Sequence, residues 1–227
     1  MFEVPIPGGR ALFTTRLGGS STGSYASRNL GLLTDDDDVI VRGNIEQLKQ
    51  ELGLSTIQLL EQVHGDTIEE ISSATTGTIP IADGMFTGER GMGMLITGAD
   101  CPAAFLASET RLVALHCGWR PVAAGIVEKG AEVFRGERFE AVIGPGICQD
   151  HFEVGPEVVQ EMGEDGVAHS DGRQLDLRGI IETRLKRAGA ARVHTVDRCT
   201  HCEPEYFFSH RRDNGVTGRQ AGIAWRV

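Results

Sequence analysis

The sequence is poor in aromatic residues, at 6% of 227, and has no apolar run near the roughly 20 residues that a membrane-spanning helix needs. Its first residues, MFEVPIPGGRALF, lack the basic flank and apolar core of a signal peptide, so a cytoplasmic location without a membrane partner is expected. Positive charge is scarce: 22 Lys and Arg face 32 Asp and Glu, a net charge of −10. That balance works against nucleic acid and anionic membranes as partners. Repeats, low-complexity stretches and linkers are missing too, which points to a single domain over residues 1–227. The five cysteines, Cys101, Cys117, Cys148, Cys199 and Cys202, are odd in number and come without an export signal. They read as reduced thiols or ligands rather than a disulfide framework.

What is present is ordinary globular patterning, 40% hydrophobic and 24% charged, with 30 glycines for tight turns. Val41, Ile45, Leu48 and Leu52 form one apolar stripe and predict a helix over about Asp36–Leu52. The acidic run TDDDDV before it reads as a solvated helix start. A second helix is expected after Pro121 to about Phe134, and a third over about Leu177–Ala188, closed by Gly189. Between them lie strand-type runs: IQLLEQVH, DTIEEI, GMLIT, PAAFLA, RLVALH, EAVIG, ARVHTV and GIAW. Strands outnumber helices and several follow one another directly, so the fold expected is α+β, with mixed or antiparallel sheets flanked by helices.

PAAFLA and RLVALH, joined by a short polar turn, form a hairpin. A turn centred on Ser108 and Glu109 would set Cys101 directly across from His116 on one face, with Cβ atoms about 5 Å apart. That spacing suits a thiolate–imidazole pair or two ligands of one ion. His64, in LLEQVHGD, ends another strand among polar neighbours, and by itself carries no assignment.

The ordered motifs TTRLGGSSTGSYASRNLG, EQVHG, ADGMFT, TGADCPAAFL, LHCGWR, IGPGI, DRCT and FFSHRRDNGVTGRQ resemble those of the laccase-domain, or YfiH-like, proteins, in older usage the multicopper polyphenol oxidase family. The resemblance runs from about Leu12 to Ile223. It implies a zinc site made by His64, Cys101 and His116, with a fourth tetrahedral position open for chemistry; copper suits the same donors less well as an assignment. Where the family has HAGWRG, this chain has Cys117 and Pro121. Cys117 points away from His116 along a strand and is given no ligand role.

The resemblance further implies phosphorolysis of adenosine, inosine, guanosine and methylthioadenosine, and deamination of adenosine, with purine nucleosides and inorganic phosphate as partners. A metal centre that acidifies water suits deamination. Phosphorolysis needs an anion site, for which Arg16, Arg120, Arg211 and Arg212 are the candidates, with Arg219 in the same motif as the last two. Asp100, beside a ligand, joins the catalytic set, and Asp83 is a candidate for orienting a histidine or touching the nucleoside. A multicopper oxidase would need paired histidines, and none of the seven histidines falls in an H-x-H pair. Two other readings use the same residues. In one, Cys101 is a nucleophile with His116 as its base, in an amidase editing peptidoglycan precursors; in the other, the chain only binds a metal or nucleotide. CTHC, Cys199–Cys202, is half a zinc ribbon with no second C-x-x-C, so no structural zinc is expected there. His201 and Cys202 stay unexplained, and Cys148 reads as a packed thiol.

Overall fold

Period-two alternation builds two sheets that bury a face against each other. The computed structural model describes residues 1–75 and 77–227. In chain order its elements are β1 (Phe2–Ile6), β2 (Gly9–Phe13), α1 (Asp38–Glu51), β3 (Thr56–Gln58), β4 (Ile68–Glu70), β5 (Gly84–Thr87), β6 (Met92–Gly98), β7 (Ala103–Ala107), β8 (Leu112–His116), α2 (Trp119–Ala123), α3 (Ile126–Glu132), β9 (Glu140–Ile143), α4 (Pro156–Glu161), α5 (Glu164–Ala168), β10 (Ser170–Asp171), β11 (Gln174–Leu175), α6 (Leu177–Arg187), β12 (Val193–Thr195) and β13 (Gln220–Arg226). One sheet has the order β1-β2-β13-β6-β3 and the other β12-β9-β7-β8-β5-β4, while β10 and β11 form a separate ribbon. Both large sheets are mixed: β3–β6, β4–β5 and β9–β12 are parallel pairs, and the other pairings are antiparallel. The fold is α+β, as the run of consecutive strands requires.

Successive residues of a strand face opposite ways, and the core follows that rule. Ala11 and Phe13 of β2, Met94 and Ile96 of β6, Ala103 and Phe105 of β7 and Ala114 of β8 pack together between the sheets. Their neighbours point outward on both sides. Leu12, Leu95 and Ile223 meet Leu48 of α1, while Ala104, Leu106, Val113 and Leu115 meet Val122, Ile126, Val158 and Ile180 from α2, α3, α4 and α6. Among the described residues no helix is long and apolar enough to cross a membrane.

The helices start where caps allow. Asp37 and Asp176 accept N–H bonds at the first turns of α1 and α6, so the acidic run serves as a helix start. The helix expected after Pro121 is two short ones, because Gly125 sits at φ +90° between them and a right-handed helix cannot pass through that geometry. The expected strand IQLLEQVH forms a ladder only over β3 and makes a single further bridge, Glu61 with Ile81, as residues 59–64 run on as an arm toward the second sheet. The hairpin of β1 and β2 and the strand β5 escape the strand-type runs picked out of the sequence.

Candidate metal centre and cavity

The hairpin of β7 and β8 turns on Glu109 and Thr110, with Ser108 N–H donating to the Arg111 carbonyl at 2.9 Å. The register is therefore Ala103 opposite His116, two residues from the one expected, and Cys101 lies outside the strand. Cys101 still reaches His116, because the chain folds back at Asp100, whose φ is +94°. The Asp100 carboxylate holds that turn. One oxygen accepts from the Thr200 hydroxyl and the other from the Arg211 N–H, each at 2.7 Å. A side chain with both oxygens so engaged positions Cys101.

His64 arrives from the arm before β4, also at positive φ, +60°. The carboxylate of Asp83, fully buried just before β5, accepts the N–H groups of Val63, His64 and Gly65 at 3.1, 3.0 and 2.6 Å. It also lies 2.7 Å from Nδ1 of His116. A carboxylate only accepts, so Nδ1 carries the proton and Nε2 presents its lone pair. Asp83 thus aims two histidines and has no side facing the cavity, so it cannot touch a substrate.

The result is three donors, exposed His64, half-buried Cys101 and buried His116, with donor atoms within 4.8 Å of one another. The imidazole rings stand nearly at right angles, 4.8 Å between centroids. Gly118 makes the space: a Cβ there would lie 3.1 Å from the Cys101 Sγ and 3.2 Å from the His64 ring. Without a metal the trio is strongly polarised. Burial works against the Cys101 thiolate, but hydrogen bonds and charge from His116 and His64 outweigh it and bring the thiol down to about 6. Burial likewise opposes charge on His116, and Asp83 with Cys101 raises it to about 9. For Asp83, the cost of burial is overcome by His116 and the backbone N–H groups, which lower it. Cys117, one residue on, faces the apolar core and its thiol is raised by burial. A thiolate, two imidazoles and a carboxylate behind one of them fit a zinc ion of the three-ligand type.

The trio lines a cavity of about 730 Å³, within the range of small-molecule sites. Leu30, Leu59, Leu95, Trp119, Phe152 and Val154 supply apolar walls. Arg120, Arg211, Arg219 and His210 supply positive or polarisable groups. Arg120 stacks on Trp119 at 4.4 Å, and its guanidinium makes no hydrogen bond or ion pair among the described residues. Arg211 lies 5.4 Å over Phe152 and donates to the Glu153 carbonyl at 2.7 Å. Arg219 donates to the carbonyls of Thr217 and Gly218.

Two arginines singled out in the sequence do not reach the cavity. Arg16 donates to the carbonyls of Ala26 and Pro204 and lies 4.5 Å over Phe208. Arg212 is spent on Asp213 and on the carbonyls of Thr200, His201 and Phe207. Both knit loops together. Arg219 takes their place in the cavity, and its motif, TGRQ, held no signal that separated it from them.

A second cluster lies outside the cavity lining. Cys148, His151, Cys199 and Cys202 also bring their donor atoms within 4.8 Å of one another. Cys148 is half-buried rather than sealed in the core, and its thiol meets that of Cys202 in CTHC. Its own motif, CQDH, carries a C-x-x-H spacing.

Residues 10–227 match the family described as multi-copper polyphenol oxidoreductase laccase. A curated relative from Geobacillus stearothermophilus, named purine nucleoside phosphorylase YlmD, is 34% identical over 98% of this chain and 92% of its own length. The Escherichia coli protein named purine nucleoside phosphorylase YfiH is 34% identical over 99% of this chain and 97% of its own. Among solved structures, Neisseria meningitidis protein NMB0706 superposes with a TM-score of 0.91 at 31% identity, covering 99% of this chain and 98% of that one. The family match, the shared fold and the near full-length similarity agree, and the chain belongs to the laccase-like YfiH family.

Proposed function

We propose that the protein is a zinc-dependent purine nucleoside phosphorylase of broad range, acting on adenosine, inosine, guanosine and methylthioadenosine and also deaminating adenosine. The observation that carries this reading is one cavity that combines the His64–Cys101–His116 donors with the Arg120 and Arg211 guanidinium groups. The names of the curated relatives support phosphorolysis. Purine nucleosides and inorganic phosphate are the partners in this reading, and the cytoplasm its place. An oxidase of several coppers gains no support from the donors, since seven histidines without an H-x-H pair cannot supply its cluster.

In phosphorolysis a phosphate oxygen bonds to ribose C1′ as the bond from C1′ to the purine nitrogen breaks, and the purine leaves with a proton. Arg120 and Arg211 neutralise the phosphate and hold its oxygens in planar, forked contacts. The faces of Trp119 and Phe152 offer stacking for the purine, and Glu157, on the cavity wall, accepts from ribose hydroxyls. His64, Cys101 and His116 would hold a zinc ion, which when bound would supply Lewis-acid chemistry to the cavity. Asp83 keeps the His116 proton on Nδ1, so that the ring serves as a ligand rather than a proton carrier.

The test scores adenine and ribose 1-phosphate against inosine during adenosine turnover, with and without phosphate. Arg120→Ala and Arg211→Ala each remove a charge-assisted contact of about 2–3 kcal/mol, roughly 30- to 150-fold in kcat/KM for phosphorolysis. Deamination, which places no anion there, falls much less. Equal losses in both products would remove the phosphate role, and absence of both products would sink the reading.

A second reading is favoured by one observation: Cys101, His116 and Asp83 stand in the order of a Cys–His–Asp nucleophile system, with the thiol brought down to about 6. It makes the protein a cysteine amidase, for instance on peptidoglycan precursors. Alkylation separates the two. A metal-held Cys101 resists iodoacetamide until a chelator is added, whereas a free nucleophile is labelled at once and activity falls in step.

A further inference from the structure

We propose that Cys148, His151, Cys199 and Cys202 form a second metal site, a closed Cys₃His zinc site that is structural rather than catalytic. Two ligand-type spacings meet there, C-x-x-H in CQDH and C-x-x-C in CTHC, from loops 51 residues apart. The parallel pairing of β9 and β12 brings them together and continues past the strand ends as a bridge between Gly146 and Cys199.

The distances are those of an ion-sized tetrahedron. Zinc–sulfur bonds of about 2.3 Å and zinc–nitrogen bonds of about 2.0 Å place tetrahedral ligand atoms about 3.8 Å apart for two sulfurs and about 3.5 Å apart for sulfur and nitrogen. Here the Sγ atoms of Cys148 and Cys202 are 3.8 Å apart, and His151 Nδ1 lies 3.2 Å from the first and 3.4 Å from the second. Cys199 Sγ completes the set and accepts the N–H groups of Cys148 and Cys202 at 3.3 and 3.4 Å. Such bonds suit a sulfur that carries negative charge. The His151 ring is further fixed by stacking on His201 at 4.0 Å, which gives His201 a purpose outside the ligand set. Four protein donors leave no open position, so this site, unlike the first, has no room for a substrate atom.

The place of the cluster says what it does. Thr200, between two of its cysteines, donates to Asp100, and Ile147 N–H, next to Cys148, donates to the Asp100 carbonyl at 2.9 Å. Asp100 in turn holds the Cys101 turn. A metal here clips together the two loops that buttress one wall of the cavity.

The test is metal content, which does not depend on what the cavity turns over. Untagged full-length protein is purified under reducing conditions, reloaded with zinc alone and dialysed. Two zinc ions per chain are expected, falling to one in C199S/C202S and, independently, to one in Cys101→Ser. His151→Asn and Cys202→Ser, singly, serve if the double variant fails to fold, and each should weaken retention of the second zinc. Cobalt loading reads the ligands directly: the Cys101→Ser protein should show a near-ultraviolet sulfur-to-cobalt band roughly three times as strong as that of C199S/C202S, since three thiolates replace one. One zinc in the wild type that survives Cys202→Ser, a cobalt form of Cys101→Ser without a thiolate band, a Cys148–Cys202 disulfide in place of the second zinc, or an iron–sulfur cluster would each overturn the proposal.

Discussion

Asp83, fully buried, accepts four hydrogen bonds through two oxygens, and its removal should be felt at the metal before it is felt in the fold. Asp83→Asn keeps the shape but loses the charge that fixes the His116 tautomer. Zinc affinity, measured by competition with a chelator, should fall about 10- to 100-fold, while the circular dichroism spectrum stays unchanged. Unaltered affinity would mean that the carboxylate only holds backbone. The motifs carrying His64, Cys101 and His116 stand plainly in the sequence. Asp83 stands there too as a candidate for orienting a histidine, but not as the brace of two, because it reaches His64 through the N–H groups of Val63, His64 and Gly65, whose sequence holds no trace of a partner 18 to 20 residues on. Arg16 misled for the opposite reason. A glycine-rich loop with an arginine resembles an anion cradle, yet its guanidinium is used up by carbonyls of its own and a neighbouring loop.

A buried polar tie joins α5 to α6. Asp165, 6% exposed, receives Arg184 at 3.0 Å and Arg187 at 2.7 Å, and Arg184 also donates to the carbonyls of Val122 and Met162. Arg187, with the larger part, and Arg184 hold the Asp165 carboxyl below its usual range against the cost of burial. Asp165→Asn takes from buried Arg184 its close counter-ion, leaving only the Glu128 carboxylate at 3.8 Å, and should cost about 3 kcal/mol at neutral pH. A group with a lowered folded value stabilises fully above the ordinary carboxylate range and loses that contribution as the pH drops through the lowered value. The gap between wild type and variant in urea unfolding should therefore close in acid; a gap independent of pH would refute the ion-pair account. Element types were legible from period and caps, as α1 and α6 show. The β7–β8 register was not, because a shift of the turn centre by one residue displaces every pairing by two, and both placements keep the same faces buried.

Taken whole, the molecule is held by the face that its two sheets share, and Phe105 is at the centre of it. Phe105 is fully buried and packs on Phe13 at 5.6 Å between ring centroids. Phe105→Ala should cost about 3–5 kcal/mol and lower the melting temperature by about 10 °C in a chain of this size. A shift of only a degree or two would mean that the sheets are held together elsewhere. The layered plan could be foreseen from the strand-rich pattern; which sheet each strand joins could not, since β13, the last strand, inserts between β2 and β6 and no local signal announces so long a return.

The three cavity ligands are graded from exposed His64 to buried His116, and this gradient fixes the order in which an ion would come and go. Water and competing chelators meet His64 first, while His116 is shielded and clamped by Asp83. Departure should begin with the detachment of the outermost imidazole, leaving a two-ligand state whose lifetime sets the exchange kinetics. Metal ligands bind in their deprotonated forms, so the rate of zinc transfer to a chelator should climb as the pH is lowered. His64→Ala should abolish the slow step and make transfer fast at every pH, and a variant that releases zinc as slowly as the wild type would show that the ion leaves by another door.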